Sequence, residues 1–356
     1  KLYIKKLKYL KKMNFLKKIK RTNIWNFIIT YLVYPVYNIF WSYFLNIDAK
    51  ILYWRWFAKK QRPYFKLNNN DKLVIKDNPD FIKFAKKIYE KTSLHLPKTR
   101  EIILSNKYEE ELKKTNYSRS RAPYHYSLYN FLNDEDKKYI VAFALSEKMI
   151  STAAKHMGVF PILTRVDISH NIPRENSESR AAMLWHKDEF GFKSLDFFMT
   201  ITDLTEENGP FYCVEKKIEA GVFKSFSKIR KEQGERGKVN FEIFNKKFKN
   251  YKIVDMIGSA GNAIFLDSFS TYHRGGECKS KDRIMLRFCY QTKDAICDDS
   301  FYKVTDEYKY DRSIKNNQSI DVFKKYLLFK KPSKGFRYLS ALLLIFYYLI
   351  SFKYEV

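Results

Sequence analysis

Glycine and proline are scarce in this chain, at 11 and 9 of 356 residues. That excludes a collagen-like or low-complexity polymer and leaves few places for tight turns. Cysteine is rarer still, with Cys213, Cys278, Cys289 and Cys297 forming no CxxC pair and no zinc-like spacing. A disulfide scaffold and a zinc ribbon are therefore excluded, and the four read as buried or free thiols in a reducing compartment. Acidic residues number 39 against 67 Lys and Arg, a formal charge of +28. No internal repeat, zinc finger, RRM or helix-turn-helix signature accompanies that charge, so nucleic acid is not the expected partner. Histidine occurs only six times, which makes the placement of each one informative.

Apolar residues make up 45% of the chain and aromatics 17%. A sizeable core is expected, in one large domain with extensions or in two modest ones. The positive charge is clustered. Residues 1–62 carry 15 Lys and Arg against the single acid Asp48. The first 21 residues, with ten cations and apolar residues at roughly helical spacing, predict a basic amphipathic helix. Thr22 to Ile47 is then uncharged for 26 residues, long enough to cross a bilayer but interrupted by Pro35 and rich in interfacial Trp and Tyr. Near the other end, Lys324 to Arg337 adds six cations, and Tyr338 to Phe352 is apolar for 15 residues. Cations flanking apolar aromatic segments suit an anionic membrane surface. The expectation is a cytoplasmic protein held at the membrane through its ends, and the opening does not read as a secretory signal.

The middle of the chain divides in two. From about residue 61 to 160 the pattern is mostly helical, with FIKFAKKIYEK (81–91), YEEELKK (108–114) and DEDKKYIVAFALSEKMISTAAKHMG (134–158). Asn133 suits an N-cap and Gly158 a stop. From Pro161 the period changes to that of strands, in PILTRVDIS, AAMLWHKD, SLDFFMTITD, GPFYCV, YKIVDMI, NAIFLDS and RIMLRFCYQ. Helices followed by at least seven short strands predict an α+β fold, a two-sheet sandwich or jelly roll with helices packed outside. The boundaries are a basic, apolar N-terminal extension over 1–60, a central domain over 61–310 with its β core at 161–310, and a basic, apolar tail over 311–356. The Lys-rich stretch from about Glu215 to Asn250 reads as an insertion between strands.

In LWHKDEFGF, His186 stands two residues before Asp188. If Ala181 to Asp188 is a strand, both side chains leave the same face and form half of a chelate. His273, in FSTYHRGG after the strand NAIFLDS, supplies a second imidazole. Two histidines and one carboxylate with open coordination positions are the facial triad of non-haem Fe(II) oxygenases. Three ligands on one face leave room for a chelating cosubstrate and O2. An anchor for a dicarboxylate is offered by Arg283, ten residues after His273, or by Arg287 on the same strand face. Spacing favours Arg283. His95, His125, His156 and His170 read as structural, Trp185 as a core aromatic, and Gly275-Gly276 as a turn that brings backbone near the metal.

LWHKD, LDFFMTITDLTEENGPF, GSAGNAIFLDSFSTYHRGG and DRIMLRFCY together resemble the phytanoyl-CoA dioxygenase family of Fe(II)/2-oxoglutarate oxygenases, over about residues 150–292. The resemblance implies a double-stranded β-helix, a cupin-like jelly roll. It implies His186, Asp188 and His273 as iron ligands and Arg283 as the 2-oxoglutarate anchor. Two departures weaken any inference about substrate. Val214-Glu215-Lys216-Lys217 stands where the family often has a PGSH-like turn, and Asn262 stands where Asp is common. Related halogenases replace the carboxylate with a small residue, so Asp188 favours hydroxylation. The reading is thus an Fe(II)- and 2-oxoglutarate-dependent dioxygenase acting with O2 on a lipid, acyl thioester or lipid-linked saccharide. The alternatives are an inactive membrane-bound scaffold of the same fold and a nucleic-acid-associated oxygenase.

Overall fold

A computed structural model describes residues 49–51, 53–54, 64–68, 72–105, 125–173, 181–188, 194–215, 241–247, 251–268 and 270–292. The expected terminal helices and apolar segments, the helix over 108–114 and most of the 215–250 insertion lie outside the described residues. Among the described residues, no helix is long and apolar enough to cross a membrane.

Helix α1 (Pro79–Thr92) follows the expected periodicity. Asn78 caps it, its side chain accepting from the amides of Asp80 and Phe81, and Pro79 occupies the first turn. Phe81, Phe84, Ala85 and Ile88 form its buried stripe. Helix α2 (Leu96–Leu104) follows after one 3-10 turn. The pattern predicts one helix from 134 to 158, but the chain makes two, α3 (Asp134–Ala144) and α4 (Glu147–Met157). Ser146 is extended there (φ −63°, ψ 155°) and acts as the second N-cap. The carbonyl of Ala144, orphaned by the break, accepts a 2.7 Å bond from the Tyr290 hydroxyl. Asn133 caps α3 as expected, and Gly158 ends α4 at φ +67°, a left-handed conformation that suits glycine.

Among the described residues there are nine strands: β1 (Lys72–Ile75), β2 (His125–Ser127), β3 (Ile162–Asn171), β4 (Ser194–Thr200), β5 (Phe211–Val214), β6 (Ile253–Asp255), β7 (Ala263–Leu266), β8 (His273–Gly275) and β9 (Arg283–Gln291). Six form an antiparallel sheet in the order β1-β7-β4-β9-β3-β2, and three form a second in the order β6-β5-β8. The expected strand over Ala181 to Asp188 is not one. Ala181–Met183 is a 3-10 turn, and His186 forms an isolated bridge with His273.

Strand alternation gives the large sheet two different faces. The outward face, with Val166, Ile168, Phe197, Met199, Phe265, Leu286 and Phe288, joins the helices α1, α3 and α4 in the main core. On the inward face, Phe198, Ile264, Leu266 and Met285 meet Phe211 and Cys213 of β5 in a second core between the sheets. The molecule is therefore a mixed helix and antiparallel-sheet fold: helices, a large sheet, then a small sheet. Cys213, Cys278 and Cys289 are buried free thiols, as expected. Burial pushes the Cys213 thiol up to about 11, which leaves it protonated and unreactive at neutral pH.

Candidate metal centre

The open side of the small sheet ends at β8, and the segment around His186 continues it by one bridge. The His186 amide donates to the His273 carbonyl at 3.0 Å, and the return bond is 2.9 Å. The Asp188 amide donates to the Ser268 carbonyl at 3.0 Å. Three backbone bonds thus fix a turn-and-bridge segment where a strand was expected. The i, i+2 relation still brings His186 and Asp188 together. His186 Nε2 is 3.6 Å from one Asp188 oxygen, and His273 Nε2 is 3.9 Å from the other. One donor atom from each of the three lies within 4.8 Å of the rest. Donors about 2.0–2.2 Å from a shared ion stand roughly 3–4 Å apart, so the trio fits a single metal.

The tautomers agree with that use. His186 Nδ1 donates to the Leu184 carbonyl at 2.7 Å, and His273 Nδ1 to the Thr271 carbonyl at 3.1 Å. A carbonyl only accepts, so in each neutral ring the lone pair sits on Nε2, facing the carboxylate. Sequence reasoning could not have found these two carbonyls, because any residue supplies one. Asp188 is 8% exposed. Burial, the largest single influence, would raise its carboxyl, but the Arg287 guanidinium, the two imidazoles and the Arg287 hydrogen bond together outweigh it and hold the group well below the usual carboxylate range. The carboxylate is thereby ionised, as a metal ligand has to be.

The two candidate arginines separate in three dimensions. Arg287 is held by Asp196, through Nε at 3.3 Å and Nη2 at 2.7 Å, and also donates to Asp188. Its task among the described residues is to hold the triad's carboxylate in place. Asp196, fully buried on β4, was not anticipated. A charge at an inward position of SLDFFMT was the available signal. Arg283 is 5% exposed and forms no ion pair with a carboxylate among the described residues. Its Nη1 donates to the carbonyls of Gly209 and, at 2.9 Å, Gly276, while its Nε has no partner. A buried guanidinium without a counter-charge is costly and is suited to receive an anion.

The residues read as structural take up supporting places. His170 lies between the Thr99 hydroxyl at 2.6 Å and Asp282 at 2.9 Å, and Arg100 binds Asp282 with two bonds. His156 lies 3.2 Å from Asp267, whose carbonyl and carboxylate fold the turn leading to Thr271 and His273. Trp185 is fully buried and stacks on Phe244 of α5 (Phe241–Lys247), centroids 4.3 Å apart. Gly276 has a packing reason of its own. A Cβ on Gly276 would stand 2.6 Å from the Gly209 carbonyl carbon, so this glycine permits close approach of the 209–210 loop.

No protein-family model and no curated protein matches the chain. Solved structures of similar shape include EctD from S. alaskensis with 2-oxoglutarate and 5-hydroxyectoine, at 14% identity and a TM-score of 0.41, over 67% of this chain and 80% of that one. AviO1 from Streptomyces viridochromogenes Tue57 aligns at 14% identity and a TM-score of 0.32, over 56% of this chain and 87% of that one. HygX from Streptomyces hygroscopicus, with nickel and 2-oxoglutarate bound, aligns at 12% identity and 0.34, over 62% and 82%.

Proposed function

We propose that this chain is an Fe(II)- and 2-oxoglutarate-dependent dioxygenase of the phytanoyl-CoA dioxygenase type that hydroxylates an organic substrate. The observation that carries the reading is the His186–Asp188–His273 group, with both imidazole tautomers fixed by backbone carbonyls so that both Nε2 atoms face an ionised carboxylate. The strand order supports a double-stranded β-helix. From β3 to β9 the chain passes from the large sheet to the His186 bridge, to β4, to β5 and β6, to β7, to β8 and back to the large sheet.

When bound, iron supplies an oxidation in which O2 and 2-oxoglutarate are consumed, succinate and CO2 are released, and a substrate C–H becomes C–OH. The chain's own residues provide the setting. His186, Asp188 and His273 would hold the ion on one face. Arg287, braced by Asp196, keeps the Asp188 oxygens oriented. Arg283 would take the distal carboxylate of 2-oxoglutarate, which gives its buried charge a partner.

The substrate is a lipid, an acyl thioester or a lipid-linked saccharide, met at the cytoplasmic face of an anionic membrane. That part rests on the clustered cations and apolar aromatic runs at both ends of the sequence.

The test is spectroscopic. Under anaerobic conditions, wild-type protein with Fe(II) and 2-oxoglutarate should develop the visible metal-to-ligand charge-transfer band. Arg283→Ala should require at least about tenfold more 2-oxoglutarate, since losing one partner of a buried charge pair costs about 2 kcal/mol or more. Folded, iron-loaded wild type without the band contradicts the reading.

A further inference from the structure

The inward face of the large sheet carries an apolar cluster on one side of β9 and none on the other. Along β4 and β7 it presents Phe198, Ile264 and Leu266, which the small sheet covers. Across β9, register places Arg165 beside Cys289, Asp167 beside Arg287, Ser169 beside Met285 and Asn171 beside Arg283, with Ser127 of β2 beside Ser169. Directly paired residues share a face, so these side chains, together with His125 of β2 beside Asn171, point the same way as Arg287, which holds Asp188. Neighbouring strands are about 4.8 Å apart, so Asp167 stands one strand from the arginine that touches Asp188.

Arg165, Asp167 and Ser169 are partly accessible, while the outward residues between them are buried. The side chains of Arg165 and Asp167 are 21% and 13% exposed. They are also organised among themselves. Ser127 donates to one Asp167 oxygen at 2.6 Å and Arg165 to the other at 2.7 Å. Asn171, 5% exposed, makes no side-chain hydrogen bond with the described residues.

We infer that the inward face of β3 and β2 is the wall that recognises the organic substrate, and that this substrate presents an uncharged, hydroxyl-rich part of the saccharide or polyol class, not an acyl chain. The inference rests on the oxygenase reading and narrows it. Donors and acceptors alternate along the wall, and no inward position from Arg165 to Asn171, or at Ser127, is apolar. Arg165 is matched with Asp167 and Arg287 with Asp188 and Asp196, and Arg283, beside Asn171, is in this reading taken up by the cosubstrate's carboxylate. The wall therefore does not call for a charged ligand. An acyl chain laid on it would remove water from these groups and return no hydrogen bond, whereas hydroxyls replace the water bond for bond.

The experiment measures succinate release by the iron-loaded full chain under air, with methyl α-D-glucopyranoside, N-acetylglucosamine, myo-inositol or palmitoyl-coenzyme A as probe. At least one hydroxyl-rich probe should raise succinate release several-fold, and palmitoyl-coenzyme A should not. The double variant Arg165→Ala/Asp167→Ala removes a charge pair together and leaves no lone buried charge. It should lose the stimulation by about tenfold, the loss of one or two substrate hydrogen bonds. The charge-transfer band reports whether that variant still folds and loads. Ser127→Ala, a smaller change, should weaken stimulation in the same direction. Stimulation by palmitoyl-coenzyme A, none by any hydroxyl-rich probe, or an unaltered response in the loaded variants would overturn the inference. A wild type without the band would instead remove the oxygenase reading, and the inference with it.

Discussion

Strands β3 and β4 flank β9 on either side of the same sheet, yet they meet different surroundings. β4 is buried at all seven positions. β3 is buried where it faces the helices and partly open at Arg165, Asp167 and Ser169. The difference lies in what stands over each. Phe198 of β4 stacks on Phe211 of the small sheet, centroids 4.5 Å apart. Among the described residues, β3 contributes nothing to that second core. One half of the inward face is therefore core, where stability comes from area removed from water. The other half is available for chemistry and stays polar. Asp196 is a charge in the covered half, and its reason is Arg287, which it holds in place beside Asp188.

Substitutions in the two halves should accordingly cost different things. Phe198→Ala should have the largest effect on stability, about 3–5 kcal/mol for a buried aromatic, read by denaturant unfolding. Asp196→Ala should come next, at about 3 kcal/mol, because it takes the two-bond partner from a buried arginine. It should also weaken Fe(II) binding, a readout that Phe198→Ala should move less at equal stability.

Asp282→Asn, on the polar side beside Arg283, should cost about 1 kcal/mol at neutral pH. Its pH dependence follows from the partners. Burial pushes the Asp282 carboxyl up, but His170 and Arg100 outweigh it and hold the group below its ordinary value. A carboxyl lowered on folding contributes stability above its unfolded value, near 3.9, and loses it as pH falls through the folded value. Wild type and Asp282→Asn should thus differ in melting temperature at pH 7 and converge as pH drops below about 4. Asn171→Ala should do least, within about 0.5 kcal/mol, since its carboxamide gives up no protein hydrogen bond. A large loss there would mean that Asn171 belongs to the core and not to the wall.

Much of this arrangement was legible in the sequence. RIMLRFCYQ is β9 residue for residue, and Asn133 and Gly158 cap the helices they were expected to cap. The strands β1, β2 and β8 were missed because each is only three or four residues long and, unlike the equally short β5, β6 and β7, does not lie in a longer apolar run bounded by turn residues. The pattern joined α3 to α4 because apolar periodicity runs through the break. The serine that caps the second helix was the local signal against it. His186 and Asp188 were found by a strand argument although they sit on a bridge, since i and i+2 also come together there. Arg283 and Arg287 share a strand face, so sequence parity could not separate them. Asp196, 91 residues away from Arg287, does so, and only the fold brings it there.

The most direct test of the account is an anaerobic Fe(II) titration followed by thermal unfolding. Wild type should bind one iron per chain and melt higher with it, because a ligand that binds only the folded state stabilises it. His186→Ala and His273→Ala should fold, fail to retain stoichiometric iron and show no such shift. Iron retained at full stoichiometry by either variant, or no binding by folded wild type, would contradict a metal centre at His186, Asp188 and His273.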